Sequence, residues 1–158
     1  MAGGASVALK AAEELGIPLD KRHQAVRRAL EEIKRLEREG YSFDEAPASA
    51  LLILLKHLGL YRERFRLVEW RVVTGPTPAA FAVVKVKVGD REMLEAGEGV
   101  GPVHAVDVAL RRAFTAAFPE LLNVALRDYR VVLPTTVKST ESVVRVTVEF
   151  TDGERVWR

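Results

Sequence analysis

A period of two, written twice, is the strongest constraint this sequence places on its fold. In Phe81–Val88, residues Ala82, Val84, Val86 and Val88 fall on one side of an extended chain, and Val83, Lys85 and Lys87 on the other. Such alternation suits a half-buried strand. The turn pair Gly89-Asp90 follows, and Arg91–Ala96 is expected to pair back as a hairpin. The pattern then returns. Val144, Val146, Val148 and Phe150 alternate with Arg145, Thr147 and Glu149, and Thr151-Asp152-Gly153 turns into a last strand at Glu154–Arg158. Set side by side, VKVKVGDRE (84–92) and VRVTVEFTDGE (144–154) read as an internal repeat of about sixty residues. Each copy opens on a further strand, RLVEWRVV in the first and NVALRDYRVVL in the second.

The halves differ in what comes next. The first runs into GEGVGPVHAVDVALRRAF (97–114), where Val103, Val106, Leu110, Ala113 and Ala117 recur at helical spacing and Pro119 lies beyond the end. The second stops after its third strand. A sheet with one apolar face needs a cover, so a helix lost by truncation or another chain is expected over the second sheet. Left bare, such a face forfeits several kcal/mol at ~25 cal/mol per Å². The opening MAGGAS likewise suggests a piece of something longer.

Ahead of the strands, the chain reads as short amphipathic helices that each need a partner surface. SVALKAAEELGI carries Val7, Ala8, Ala11, Ala12 and Leu15 on one side and closes at Gly16. Asp20 is the expected cap of a second helix, with Val26, Leu30, Ile33 and Leu36 as its stripe and Gly40 as its stop. Asp44 is the expected cap of a third, with Pro47 at N3 and an apolar face from Leu51 to Leu58. The fold class is therefore α+β, helices first and two strand-rich units after.

Chemistry finds little to hold. The chain has no cysteine, which removes disulfides, thiolate metal sites and a cysteine nucleophile, and suits a reducing cytoplasm. His23, His57 and His104 stand far apart with no H-x-H or H-E-x-x-H spacing, so no metal site is expected; His23 and His57 read as helix-surface residues. There is no G-x-S-x-G elbow. Asp128, in a strand, reads more readily as orienting a backbone group or an arginine than as a general base. The net charge of +2 is small and its basic residues alternate with glutamates, which argues against a nucleic-acid footprint. ALLILLKHLGL (50–60) is too short to span a bilayer.

The glycine segment remains. Gly97-x-Gly99-x-Gly101 is neither a Walker loop nor a dinucleotide fingerprint. Two readings stay open: the glycines bring backbone N–H groups close to a small anion at a helix start, or they make a tight strand-to-helix corner.

Taken together, GYSFDEAPASALLILLK (40–56), GEGVGPVHAVDVALRRAF (97–114) and LRDYRVVL (126–133) resemble the C-terminal part of the citramalate synthase and 2-isopropylmalate synthase family. That family runs a G-Y-x-F-x-x-A-x-A-S segment, then G-x-G-P-V-x-A-x-x-x-A-L, then a D-Y-[KR]-V strand. The resemblance covers nearly the whole chain. It implies a helical linker subdomain in residues 1–60 and, in 65–158, a regulatory and dimerising domain of two βββα-type units, the second lacking its final helix. It also implies that the metal-dependent barrel that condenses acetyl-CoA with a 2-oxo acid lies elsewhere, so this chain alone is not expected to catalyse the condensation.

The resemblance further implies an effector, isoleucine or leucine, and a homodimer. Gly99, Val100, Gly101, Pro102, Val103 and His104 match the family's loop beside the amino acid at the helix start. Leu126, Tyr129 and Leu133 match a strand around the aliphatic tail, and Thr140 and Val144 fall near the next turn and strand. Val100 stands where the G-N-G-P form has Asn, and His104 where the family commonly has Asp or Ala. Three readings follow: an allosteric module, a dimerisation scaffold whose pocket has decayed, and a small enzyme whose only support is the glycine segment with Asp128 and His104.

Overall fold

The protein, a computed structural model, is described here for residues 3–20, 22–133 and 143–158. It divides into two compact units, Met1–Tyr61 together with Ala125–Arg158, and Arg62–Val124. The class is α+β: three helices, then two three-stranded antiparallel sheets with a helix after the first.

Helices α1 (Gly4–Glu14), α2 (Gln24–Arg38) and α3 (Pro47–His57) share one core of Ala8, Ala12, Val26, Ala29, Ile33, Phe43, Ala50 and Leu54. Gly4 sits so close to the α2–α3 connection that an added Cβ would lie 2.5 Å from Phe43 Cβ, and its N–H donates to Glu37 Oε1 at 2.8 Å. Two expected caps are corrected. His23, not Asp20, caps α2, its Nδ1 accepting from Ala25 N–H at 3.2 Å, while Asp20 accepts from Arg22 N–H and shapes the preceding turn. Ala46 precedes α3 and Pro47 opens it at the first position rather than the third. That is where a ring without an N–H costs nothing. Asp44 instead accepts from the Ser42 hydroxyl, which holds its carboxyl below the usual range. His57 is not a free surface residue: Nε2 lies 2.6 Å from Glu32 Oε2 and ties α3 to α2.

The second unit is one sheet under one helix. Strands β1 (Arg66–Thr74), β2 (Ala80–Val88) and β3 (Arg91–Gly99) pair in that order, and α4 (Pro102–Phe114) returns across them, followed by a 3-10 turn at Pro119–Asn123. Ala80, Ala82, Val84 and Val86 are buried against Ala105, Ala109, Ala113 and Phe114. Strand β3 runs further than its apolar pattern suggests, through Gly97 and Gly99. The helix stripe is also corrected. Ala113 is buried as expected, but with Ala105 and Ala109, one step round the helix from Val106 and Leu110, which are half-buried at its flank; Val103 is exposed, and Ala117 is exposed beyond the helix end.

The cause is spacing. A Cβ on Gly97 would lie 2.4 Å from Ala105 O and 2.6 Å from Ala109 N, and one on Gly99 would lie 2.5 Å from Ala105 N. Helix and strand touch backbone to backbone, which only glycine facing alanine permits.

The remaining strands, β4 (Ala125–Val132), β5 (Arg145–Thr151) and β6 (Val156–Trp157), form the second sheet in the order β4-β5-β6. The repeat is carried into irregularity. Both β1 and β4 shift register at the same place, between Leu67 and Glu69 and between Leu126 and Asp128. The shift puts Leu126 opposite Phe150 and Tyr129 opposite Val148, so residues three apart in β4 share a face. That face joins Leu126, Tyr129 and Val131 to Val146, Val148 and Phe150, with Trp157 paired beside Phe150. On the other side Glu149 is buried between the guanidinium groups of Arg127 and Arg158.

Candidate functional site

The glycine segment resolves in favour of packing at two of its three positions. Gly97 and Gly99 present their open sides to α4, so their missing side chains serve the helix. Gly101, the residue before α4, is extended at φ −169° and has nothing within 4 Å of an added Cβ. The first intrahelical bond runs from Ala105 N–H to Gly101 O at 3.0 Å, which leaves the N–H groups of Val103 and His104 ahead of the helical ladder. Pro102 presets the first turn without a donor of its own.

Val100, 84% exposed, is held by its backbone: its N–H donates to His104 Nδ1 at 3.3 Å. A shallow hollow of about 340 Å³ opens here, lined by Pro78, Ala79, Glu98, Gly99, Val100 and His104. The structure thus brings Gly99, Val100 and His104 to one hollow at the start of α4, with Gly101, Pro102 and Val103 forming the helix entry itself. Glu98 is a lining residue that sequence reasoning did not single out.

Of the expected tail residues, Leu126 and Tyr129 lie on the apolar face of the second sheet. Leu133 stands one residue beyond β4 and Val144 one residue before β5, both exposed. Thr140 lies outside the described residues. Val148 and Phe150, the cross-strand partners of Tyr129 and Leu126, were legible as an alternating strand but not as neighbours of those two. The pairing depends on the bulge. The same face borders a cleft of about 580 Å³, with Val146, Val148, Phe150 and Trp157 on one wall and Ala48, Leu52 and Ile53 of α3 on the other.

Asp128 behaves as an orienting group: Oδ1 accepts from Tyr129 N–H at 2.9 Å and Oδ2 lies 3.6 Å from Arg130 Nη2. Among the described residues no three His, Asp or Glu side chains gather as a metal would require, and no helix is long and apolar enough to cross a membrane. Each unit thus carries one feature by itself: a hollow at the start of α4 in one, and an apolar sheet face bordering a cleft in the other.

Two three-stranded antiparallel sheets following short helices, the first sheet carrying a helix whose entry borders a hollow, define the class of fold. Residues 45–158 match the LeuA allosteric (dimerisation) domain, and the chain belongs to that family. It is 51% identical over 155 residues to an (R)-citramalate synthase of Sulfolobus acidocaldarius, covering 98% of this chain and 29% of that protein. An (R)-citramalate synthase of Geobacter sulfurreducens is 37% identical over 159 residues, 98% of this chain and 30% of that one. That of Aquifex aeolicus is 35% identical over 150 residues, 92% and 28%. The chain therefore spans less than a third of the length of these relatives.

Proposed function

We propose that this chain is the feedback portion of an (R)-citramalate synthase, binding a branched-chain amino acid and pairing with a second copy. The single observation that carries the proposal is the 51% identity to such an enzyme across 98% of the chain, with the allosteric domain match inside it. In this reading residues 1–60 are the linker subdomain and 65–158 the regulatory domain. Condensation of acetyl-CoA with a 2-oxo acid belongs to other parts of a longer enzyme.

Isoleucine is the preferred effector, since the relatives are named as citramalate synthases rather than isopropylmalate synthases. The residues divide by chemistry. The backbone N–H groups of Val103 and His104, at the positive end of α4, suit a carboxylate. The loop residues Gly99, Val100, Gly101 and Pro102 set that entry. By resemblance Leu126, Tyr129 and Leu133 match the family's strand around an aliphatic side chain, and Thr140 and Val144 fall near the next turn and strand; Val148 and Phe150 share the face of Leu126 and Tyr129. Binding acts through a coupling free energy, typically ~1–3 kcal/mol, between effector and enzyme.

Titration calorimetry with isoleucine and leucine, beside light scattering, tests the proposal. Saturable heat in a dimer is expected, with isoleucine the tighter ligand and a rise in melting temperature that follows RT ln(1 + [L]/Kd). A folded dimer silent to both amino acids would leave a scaffold and remove the sensor.

A further inference from the structure

We propose that His104 is a positioning residue for the loop Gly99–Gly101, pinning it through an Nδ1 acceptor that protonation removes; the consequence for effector binding rests on the sensor reading above. His104 is the third residue of α4, the place from which a capping-box side chain reaches back to the chain ahead of the helix. Here the imidazole takes that part. Its Nδ1 accepts Val100 N–H at 3.3 Å, while Gly101 has no side chain with which to cap. Gly99 is already fixed by its contact with the α4 backbone, so the ring bond is what holds the exposed residue between Gly99 and Gly101.

An Nδ1 that accepts carries no hydrogen, so the neutral ring has its proton on Nε2. The imidazolium has N–H at both nitrogens and cannot accept, and its charge also opposes the positive end of the helix. Around the ring, Glu98 from β3 lines the same hollow, while Pro78 and Ala79 of the β1–β2 turn bring no charge. Asp107, next along α4, is already bonded by Arg111 at 2.7 Å. The pin is therefore available to the neutral ring and absent from the imidazolium. Histidine is the side chain suited to make that change between about pH 5 and 8.

Nitrogen NMR of the full chain tests this directly. At about pH 8 the imidazole shifts should report the Nε2–H tautomer, and the protection factor of the Val100 amide should fall about threefold by about pH 5.5, the scale of one modest hydrogen bond. His104→Asn keeps an acceptor near the Nδ1 position without titrating and should make that protection independent of pH. His104→Ala should remove it at both. Isoleucine affinity should weaken severalfold on acidification in the native chain and stay flat in His104→Asn. An Nδ1–H tautomer, or Val100 protection unchanged between the two pH values in the native chain, overturns the pin. If the native chain binds neither amino acid at either pH, the sensor reading fails, and the tautomer and the Val100 amide still decide the role of His104.

Discussion

The two sheets begin from nearly the same strand, LVEWRVV at 67–73 and LRDYRVV at 126–132, and bulge at the same step. Their inner faces then part company. The first has Ala80 and Ala82 in its middle strand and Gly97 and Gly99 in its third, and α4 settles onto that hollowed surface with backbone contact. The second has Val146, Val148 and Phe150 at the matching strand, and it borders a cleft instead of a closed core. A position that carries Lys85 opposite Glu69 in the first carries Glu149 opposite Asp128 in the second, where two arginines neutralise it. Side-chain volume on one face, more than strand pattern, decides how near a covering element can come.

The sharpest way to break this contrast is Gly97→Ala. Its new methyl would sit within 2.6 Å of two backbone atoms of α4, and backbone cannot swing aside. A loss of about 3 kcal/mol in urea denaturation is expected, at the upper end of overpacking. Gly101→Ala, with open space around it, should stay within about 0.5 kcal/mol. Equal effects at the two positions would mean that the close approach does not hold the unit together.

A smaller effect separates the middle strands. Val84 is completely buried, and Val84→Ala should cost about 2 kcal/mol by the same measurement. Val148, its counterpart by register and only half-buried, should lose less than about 1 kcal/mol as Val148→Ala. If dimerisation covers the second sheet, the Val148 penalty grows with protein concentration while the Val84 penalty does not.

The smallest effect concerns acid. The Asp152 carboxyl, in the β5–β6 turn, is held below the usual range by the N–H groups of Arg155 and Glu154. A depressed carboxyl stabilises the fold above the ordinary aspartate value of about 3.9 and loses that contribution as pH falls through its folded value. Asp152→Asn should therefore flatten the acid limb of the melting profile slightly. A steeper limb would contradict the assignment.

Much of the architecture was legible because alternation is a property of single strands. Ala82, Val84 and Val86 fell on the buried face as their spacing demands. The helix caps were less legible: Asp20 and His23 both offer an acceptor near the start of α2, and geometry decides between them. The stripe of α4 was misread because hydropathy favours Val106 and Leu110, whereas backbone contact with Gly97 and Gly99 demands the smaller Ala105 and Ala109. Which residues neighbour one another on the second sheet was hidden in register. Nothing local shows that a bulge will turn Leu126 and Tyr129 to one side, or that His104 will reach back four residues to Val100.

The paired bulges also bear on how the molecule avoids unwanted company. Strands β1 and β4 are both sheet borders, and β1 shows Leu67, Val68, Trp70 and Val73 to solvent. An unbroken border of that kind is a template on which stray chains can zip. The extra residue in each border throws the donors and acceptors out of step near its start and twists the strand away from flatness. Runaway stacking is thereby discouraged at both rims by the same irregularity.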